Sequence, residues 1–378
     1  MVLKRESDVL AVLATGQGKS LLFFLAAFIE KQQGRTTVVV SPLVALMADM
    51  KARCNMHGLT YDTWREISVL ILTTLCITTD ARSTLTRVDI LFVAVEHCSN
   101  IDLLCHLRAL SQHGDRLARI VFDEAHLAIT WNDWRPEMHN LHTLRTQRVP
   151  ILLLTATLPP KLEQELKIAF GSNFTTVRQA STTRPELQYK VTKKEKTSEM
   201  REELFSAIEA LITDNNGHAA IIIFFLETRT AERFQEEIQE TRSSTQVLVY
   251  HGQMTPEART ANQTAFMRET DGVMIMCCTS AFAMGVDKAD INAVIHYGIC
   301  DSIMEYVQGA GRAKRNPDAF IAPGQCILLT SDEQMEDLRQ FRLRGQHGKA
   351  KISKEQQLDE MIHYVNVSKQ RIQIFYTI

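Results

Sequence analysis

Residues 9–20 read VLAVLATGQGKS, and the order of residue types in that stretch decides the fold. Val9 to Ala14 is an apolar run of the kind that forms a buried parallel strand. Thr15-Gly16-Gln17-Gly18-Lys19-Ser20 follows, and Leu21 to Ile29 continues as a helix. Strand, glycine loop and helix in that order make a phosphate cradle. Gly16 and Gly18 let backbone N–H groups close on phosphate oxygens, Lys19 reaches the β/γ-phosphates, and Ser20 can hold Mg²⁺. The usual pattern has Gly at the position of Leu13. Taken alone, the stretch also fits a glycine-rich turn carrying a chance Lys-Ser pair.

Working outward, 378 residues suggest two to three domains. A hydrophobic content of 45% with 23% charged residues is globular. A net charge of −2 gives no overall basic signature, so a nucleic-acid partner would be met by a local groove. The eight cysteines form no CxxC pair, which fits a reducing compartment, and Cys277-Cys278 reads as buried core. No apolar run is long enough to span a membrane. The apolar N-terminus runs straight into the glycine loop, which argues against a signal peptide.

Thr36 to Val40 reads as a second strand, and Pro42 suits the opening of a helix through Met56. Ser68 to Leu75 fits strand or helix. Ile90 to Val95 is a clearer strand. In Ile120-Val121-Phe122-Asp123-Glu124-Ala125-His126, apolar residues bury a strand and two carboxylates emerge at its carboxyl end, the edge where open parallel sheets bind ligands. Asp123 then suits Mg²⁺, and Glu124 suits orienting or deprotonating a water. Adjacent strand residues point opposite ways, so the pair needs a turn starting here to share one site. Trp131 and Trp134 flank a polar loop beside Arg135. Such a loop can stack on bases and pair with phosphate, or pack against its own domain. Ile151 to Leu154 is a further strand ending in Thr155-Ala156-Thr157.

The second half begins with a polar, charged stretch over 179–204, read as a linker near 175–185 followed by a strand from Leu187 to Val191. Strands at 219–225, 246–250, 273–278 and 292–296, with a helix at 230–239, imply another parallel α/β sheet. No second phosphate loop appears in it. Gln308-Gly309-Ala310-Gly311-Arg312-Ala313-Lys314-Arg315 places Arg312 and Arg315 three apart, on one face if helical. Arginines there either face a transferring phosphate or form a solvated basic face.

TGQGKS, VVVSPLVALMADM, DEAH, the tryptophan loop ending RPEM, and LLLTAT stand in the order seen in superfamily 2 helicases. SPLVALM and the loop from DEAH to WRPEM resemble the RecQ DNA helicases in particular, and Arg184-Pro185-Glu186-Leu187 resembles that family's connector. The resemblance implies two tandem RecA-like parallel-sheet domains with an ATP cleft between them and a short C-terminal helical segment. It implies ATP and Mg²⁺ as cofactors, with Lys19, Asp123, Glu124, His126, Arg312 and Arg315 catalytic. Thr15, Gly16, Gln17, Gly18, Ser20, Asp287 and Gln308 would meet the nucleotide, and Ser20 and Asp123 the Mg²⁺. Asp287 matches the ribose contact, and Arg315 stands ahead of Arg312 as the finger. His126 would couple the two domains. Ser41, Trp131, Trp134, Arg135, Thr155, Thr279 and Ser280 match DNA-facing positions. Translocation would run 3′ to 5′.

Departures from the family pattern shape the expectation. Eighteen residues precede Lys19, too few for the family's upstream adenine-recognition segment. The tryptophan loop is shortened to WNDWR. Ala283 stands where the family has Gly, Gly309 where it has Glu, and Lys314 where it has Gly. Ser368 stands at the first zinc-ligand position, so no zinc is expected. The expected division is 1–178, 179–345 and a helical remnant at 346–378, the last packing on the second domain. The reading is an ATP-dependent 3′–5′ DNA helicase core, truncated at both ends, with single-stranded and junction DNA as partner and no membrane. By resemblance it is nuclear. The alternatives are a degenerate paralogue that binds nucleic acid without efficient unwinding, and an RNA helicase.

Overall fold

A computed structural model describes residues 2–14, 17–42, 44–64, 88–112, 115–130, 141–145, 149–156, 158–171, 173–179, 184–268, 272–283, 288–314, 323–343 and 348–367. The chain divides into two compact units, Met1–Thr182 and Thr183–Ile378.

The first unit is a seven-stranded sheet in the order β3-β4-β2-β5-β6-β1-β7. Its strands are β1 (Val9–Val12), β2 (Thr36–Ser41), β3 (Tyr61–Thr63), β4 (Ile90–Ala94), β5 (Leu117–Phe122), β6 (Ile151–Thr155) and β7 (Thr175–Arg178). Every pairing is parallel, so all carboxyl ends share one edge. Helices α1 (Leu21–Glu30), α2 (Val44–Met56), α3 (Ile101–Gln112), α4 (Leu127–Thr130) and α5 (Pro160–Ala169) make the connections. Both faces are covered, which is why the central strands are apolar at every position rather than alternating. On one face Phe23, Phe24 and Ala27 of α1 and Met47, Met50 and Cys54 of α2 pack on Ala11, Val39, Val121 and Leu152. On α3, Leu103, Leu107 and Leu110 are buried at helical spacing. At the end of α5 the Phe170 ring sits 4.6 Å from that of Phe122.

The second unit is a six-stranded parallel sheet in the order β10-β11-β9-β12-β13-β8. Its strands are β8 (Leu187–Lys194), β9 (Ala219–Phe225), β10 (Gln246–Tyr250), β11 (Val273–Cys278), β12 (Ala293–Tyr297) and β13 (Gly324–Ser331). Helices α6 (Thr197–Asp214), α7 (Thr228–Thr241), α8 (Pro256–Met267), α9 (Ile303–Ala310), α10 (Asp332–Leu343) and α11 (Gly348–Asn366) surround it. Alternate residues of β9 serve opposite faces: Ile221, Ile223 and Phe225 join α6 and α7 in one core, while Ile222 and Phe224 join Phe266 of α8 in another. Cys277 and Cys278 are both buried. A third cluster packs α9, α10 and α11 together through Ile303, Tyr306, Met335, Leu338, Leu358, Met361 and Tyr364.

Three readings of the sequence are corrected. Residues 175–178, read as the start of a linker, are the edge strand β7, paired in parallel with β1. Its TTVR sequence is only half buried, so it carries no apolar run. The polar stretch through 204 holds the start of α6, whose buried Met200, Leu204, Ile208 and Leu211 supply one apolar residue per turn. Arg312 is not helical, because α9 ends at Ala310 and a turn follows. Ser68–Leu75 and Ser368 lie outside the described residues.

Candidate functional site

In the first unit the parallel sheet brings four strand ends to one edge, in the order β2, β5, β6, β1. After β1, Leu13 N–H donates to Thr155 O at 3.0 Å and Gln17 N–H turns back to Ala14 O at 3.2 Å. Gly18 has φ +77°, a left-handed backbone that favours glycine. Lys19 extends its ammonium to Leu13 O at 3.3 Å. Ser20 precedes α1 with helical backbone angles and makes no capping hydrogen bond, so its hydroxyl is not spent on the helix. Gln17 and Gly18 are exposed, while Lys19 and Ser20 are half-buried. Thr15 and Gly16 lie outside the described residues.

After β5 the chain turns at once over residues 123–126, which answers the requirement that adjacent carboxylates share a site. Asp123 N–H donates to Val40 O at 3.1 Å and Ala125 N–H to Leu154 O at 2.8 Å, anchoring the turn to both neighbouring strands. Glu124 between them has φ +47°, a left-handed conformation that costs a non-glycine residue of order 1–3 kcal/mol and persists only where the surroundings impose it. Its N–H is bonded by Asp123 Oδ1 at 3.1 Å.

Burial pushes the Asp123 carboxyl up to about 7, with the charge of Glu124 adding to the rise and Lys19 opposing it. Crowding of the Asp123 and Glu124 carboxylates is the kind of charge that a divalent cation relieves. His126 is buried, which lowers its pKa and favours the neutral ring, with the charge of Glu124 opposing. Its Nδ1 lies 2.8 Å from Thr155 Oγ1 and 3.5 Å from Glu124 Oε2. A small cavity beside this turn is lined by Pro42, Asp123, Glu124, Ala125, Leu127 and Phe170. Ser41 and Thr155, matched to DNA-facing positions, are fully buried. Their hydroxyls therefore face protein, and that of Thr155 meets His126.

In the second unit Thr279 and Ser280 follow β11, with Thr279 N–H donating to Tyr250 O at 3.2 Å. Ser280 is exposed and lines one cavity with Glu305, and its hydroxyl favours the charged form of that carboxyl. Burial pushes the Glu305 carboxyl up to about 7, helped by the charge of Asp301, which itself accepts from Arg342 Nε at 2.8 Å. Gln308 lies on α9 with its Nε2 buried and, among the described residues, without a hydrogen-bond partner. Arg312 is buried in the turn after α9, its N–H donating to Gly309 O at 3.0 Å. Trp131, Trp134, Arg135, Asp287 and Arg315 lie outside the described residues.

Residues 1–165 match the DEAD/DEAH box helicase family, and residues 202–317 match the helicase conserved C-terminal domain. The ATP-dependent DNA helicase Q-like 4B of Arabidopsis thaliana is 31% identical over 331 residues, covering 86% of this chain and 27% of that protein. The ATP-dependent DNA helicase RecQ of Bacillus subtilis (strain 168) is 25% identical over 370 residues, covering 96% of this chain and 58% of that one. The chain belongs to the RecQ-like superfamily 2 helicases. It spans about a quarter of the length of the Arabidopsis relative and somewhat over half of the Bacillus one. Its fold is shared with Mss116p solved with single-stranded RNA and AMP-PNP, at a TM-score of 0.68 and 18% identity, covering 98% of this chain and 76% of that one. Two parallel-sheet α/β units are the tandem RecA-like arrangement of such helicases.

As a RecQ-like helicase the chain carries features that its motifs did not announce. The left-handed turn at Glu124 has no side-chain signature. Glu305 lies among apolar helix residues, and only its i, i+4 spacing from Gly309 marks the two as lining one cavity in the second unit, with Phe224, His296 and Arg342. Arg184 matched the connector, yet three of its hydrogen bonds go to backbone carbonyls, which no spacing of residue types reveals.

Proposed function

We propose that this chain hydrolyses ATP with Mg²⁺ and uses the cycle to move 3′ to 5′ along DNA and separate the strands of a duplex. The observation that carries the reading is the carboxyl edge of the first sheet, where Lys19, Asp123, Glu124 and the His126–Thr155 pair converge. In this reading Lys19 and the N–H groups at the start of α1 hold the β/γ-phosphates. Ser20 and Asp123 hold Mg²⁺, which when bound neutralises charge on the phosphate oxygens. Glu124 orients the attacking water and accepts its proton. Arg312 and Arg315 from the second unit stabilise the charge on the transferring phosphoryl group, and Gln308 and Asp287 contact the nucleotide. Mutual approach of the two units around ATP and their release on hydrolysis is the step that moves the strand. Ser280, Thr279, Trp131, Trp134 and Arg135 line its path, and contacts to phosphate leave little base preference. The eukaryotic relative's name, a DNA helicase, supports DNA over RNA as the track.

The test is turnover of ATP with and without single-stranded DNA, for the wild type and Lys19→Ala. DNA-stimulated turnover that Lys19→Ala abolishes supports the reading, and DNA binding without turnover contradicts it. Substrates with 3′ or 5′ tails read the direction, and stimulation by RNA but not DNA would replace the track.

A further inference from the structure

Helix α9 ends at Ala310, and the turn after it closes on its last carbonyls: Gly311 N–H donates to Val307 O at 2.9 Å, Arg312 N–H to Gly309 O at 3.0 Å and Ala313 N–H to Ala310 O at 3.1 Å. The carbonyls of the loop itself are met by Arg184. Its Nη1 donates to Gly311 O at 2.9 Å, and its Nη2 donates to Ala313 O at 3.0 Å and Lys314 O at 2.5 Å. Nε donates to Glu186 Oε1 at 2.5 Å, so an ion pair two residues along orients the guanidinium fork. The fork is planar and rigid, and a lysine would offer one point charge in its place.

The loop held in this way is strained. Lys314 has φ +45° at a position where glycine is the easy occupant. Its N–H donates to Ile291 O at 2.9 Å while Arg184 holds its carbonyl, so both ends of the residue are fixed. Strain of this kind survives only where surrounding bonds over-determine it. Arg312 lies inside the clamped segment and Arg315 directly follows it. Arg184 itself is the second residue of the unit that starts at Thr183, where the chain crosses from one unit to the other.

We propose that Arg184 is a positioning residue for the arginine loop, and that it sets the loop's register through the three carbonyls it holds. This rests on the proposed role of Arg312 and Arg315 toward ATP. Loss of the clamp frees Lys314 to relax and shifts the guanidinium of Arg312. A misplacement of about 1 Å is enough to cost on the order of 10²-fold in rate.

The experiment measures kcat and KM for ATP with saturating single-stranded DNA in the full chain, for wild type, Arg184→Ala, Arg184→Lys, Arg312→Ala and Arg184→Ala/Arg312→Ala, with thermal unfolding recorded for each. The expected result is a kcat loss of about 10²-fold in Arg184→Ala with little change in KM. The double variant should be no slower than Arg312→Ala, and added guanidinium ion should restore turnover to Arg184→Ala but not to the double variant. Arg184→Lys keeps the charge on a single nitrogen without the fork, and reads the same comparison if the alanine variant fails to fold. Losses that add in the double variant, or a kcat that falls only in step with unfolding and is not rescued, overturn the assignment. An inactive wild type would instead contradict the proposed function.

Discussion

His126 Nδ1 and Thr155 Oγ1 lie 2.8 Å apart with both side chains buried in the first unit. The same imidazole nitrogen is 3.5 Å from Glu124 Oε2, so the carboxylate assigned to the attacking water is linked through one ring to the end of β6. Residues sharing such a network couple by about 0.5–3 kcal/mol. Thr155→Val and His126→Ala are each expected to lower DNA-stimulated hydrolysis, and their double variant to lose less than the sum. A double-mutant cycle on kcat makes the check, and strict additivity would show that the hydrogen bond transmits nothing.

Gly309 sits where a side chain has no room. A Cβ there would lie 2.7 Å from His296 Nε2 and 3.2 Å from Phe224. His296 cannot swing aside, because its ring is stacked on Phe224 at 4.9 Å and set edge-on to Tyr306 at 4.9 Å. Gly309→Ala should therefore destabilise the second unit by about 1–3 kcal/mol, the usual cost of overpacking. Denaturant unfolding measures it, and Gly309→Ala in a His296→Ala background should recover part of the loss.

Arg119 of β5 and Glu30 at the end of α1 form a fully buried ion pair at 2.6 Å. Removing one partner strands a charge in the core, at a cost of about 3–5 kcal/mol. Arg119→Met alone should thus be severely destabilised. Arg119→Met with Glu30→Leu should regain most of the loss, because two apolar side chains leave no charge behind. Equilibrium unfolding of the three proteins decides it, and equal stability of single and double variants would contradict the account.

Glu163 ties α5 to the edge strand β7. Burial raises its carboxyl pKa, but Lys167, Thr176 and Arg178 more than reverse that and bring it to about 2. The stabilisation is complete above the ordinary carboxylate pKa of 4.5 and is lost as pH falls toward about 2. After discounting for solvent screening it amounts to about 1 kcal/mol. Glu163→Gln should lower stability near neutral pH and flatten the acid limb of the stability curve between those values. An unchanged acid limb would refute the pairing.

Legibility followed burial. β1, β2, β5, β6, β9 and β11 were readable because strands covered on both faces become continuous apolar runs. The edge strand β7 and the amphipathic α6 were not, since TTVR exposes alternate residues and α6 buries one residue per turn. At the site, Lys19, Asp123 and Glu124 were legible by residue type at a strand end. The turn that unites the carboxylates depends on one left-handed residue, and the Arg184 clamp depends on carbonyls that every residue carries. Thr155 was legible as a strand-end hydroxyl, but its partner inside the protein was not, because His126 is distant from it in sequence and lies beside it only once β5 and β6 pair.

The central claim is that Glu124 activates water against a phosphate held by Lys19. Single-turnover hydrolysis of ATP by Glu124→Gln, with saturating single-stranded DNA and with nucleotide binding measured in parallel, tests it most directly. The account predicts unchanged ATP affinity with hydrolysis slowed by about 10²–10⁴-fold. Hydrolysis within about twofold of the wild type would contradict it.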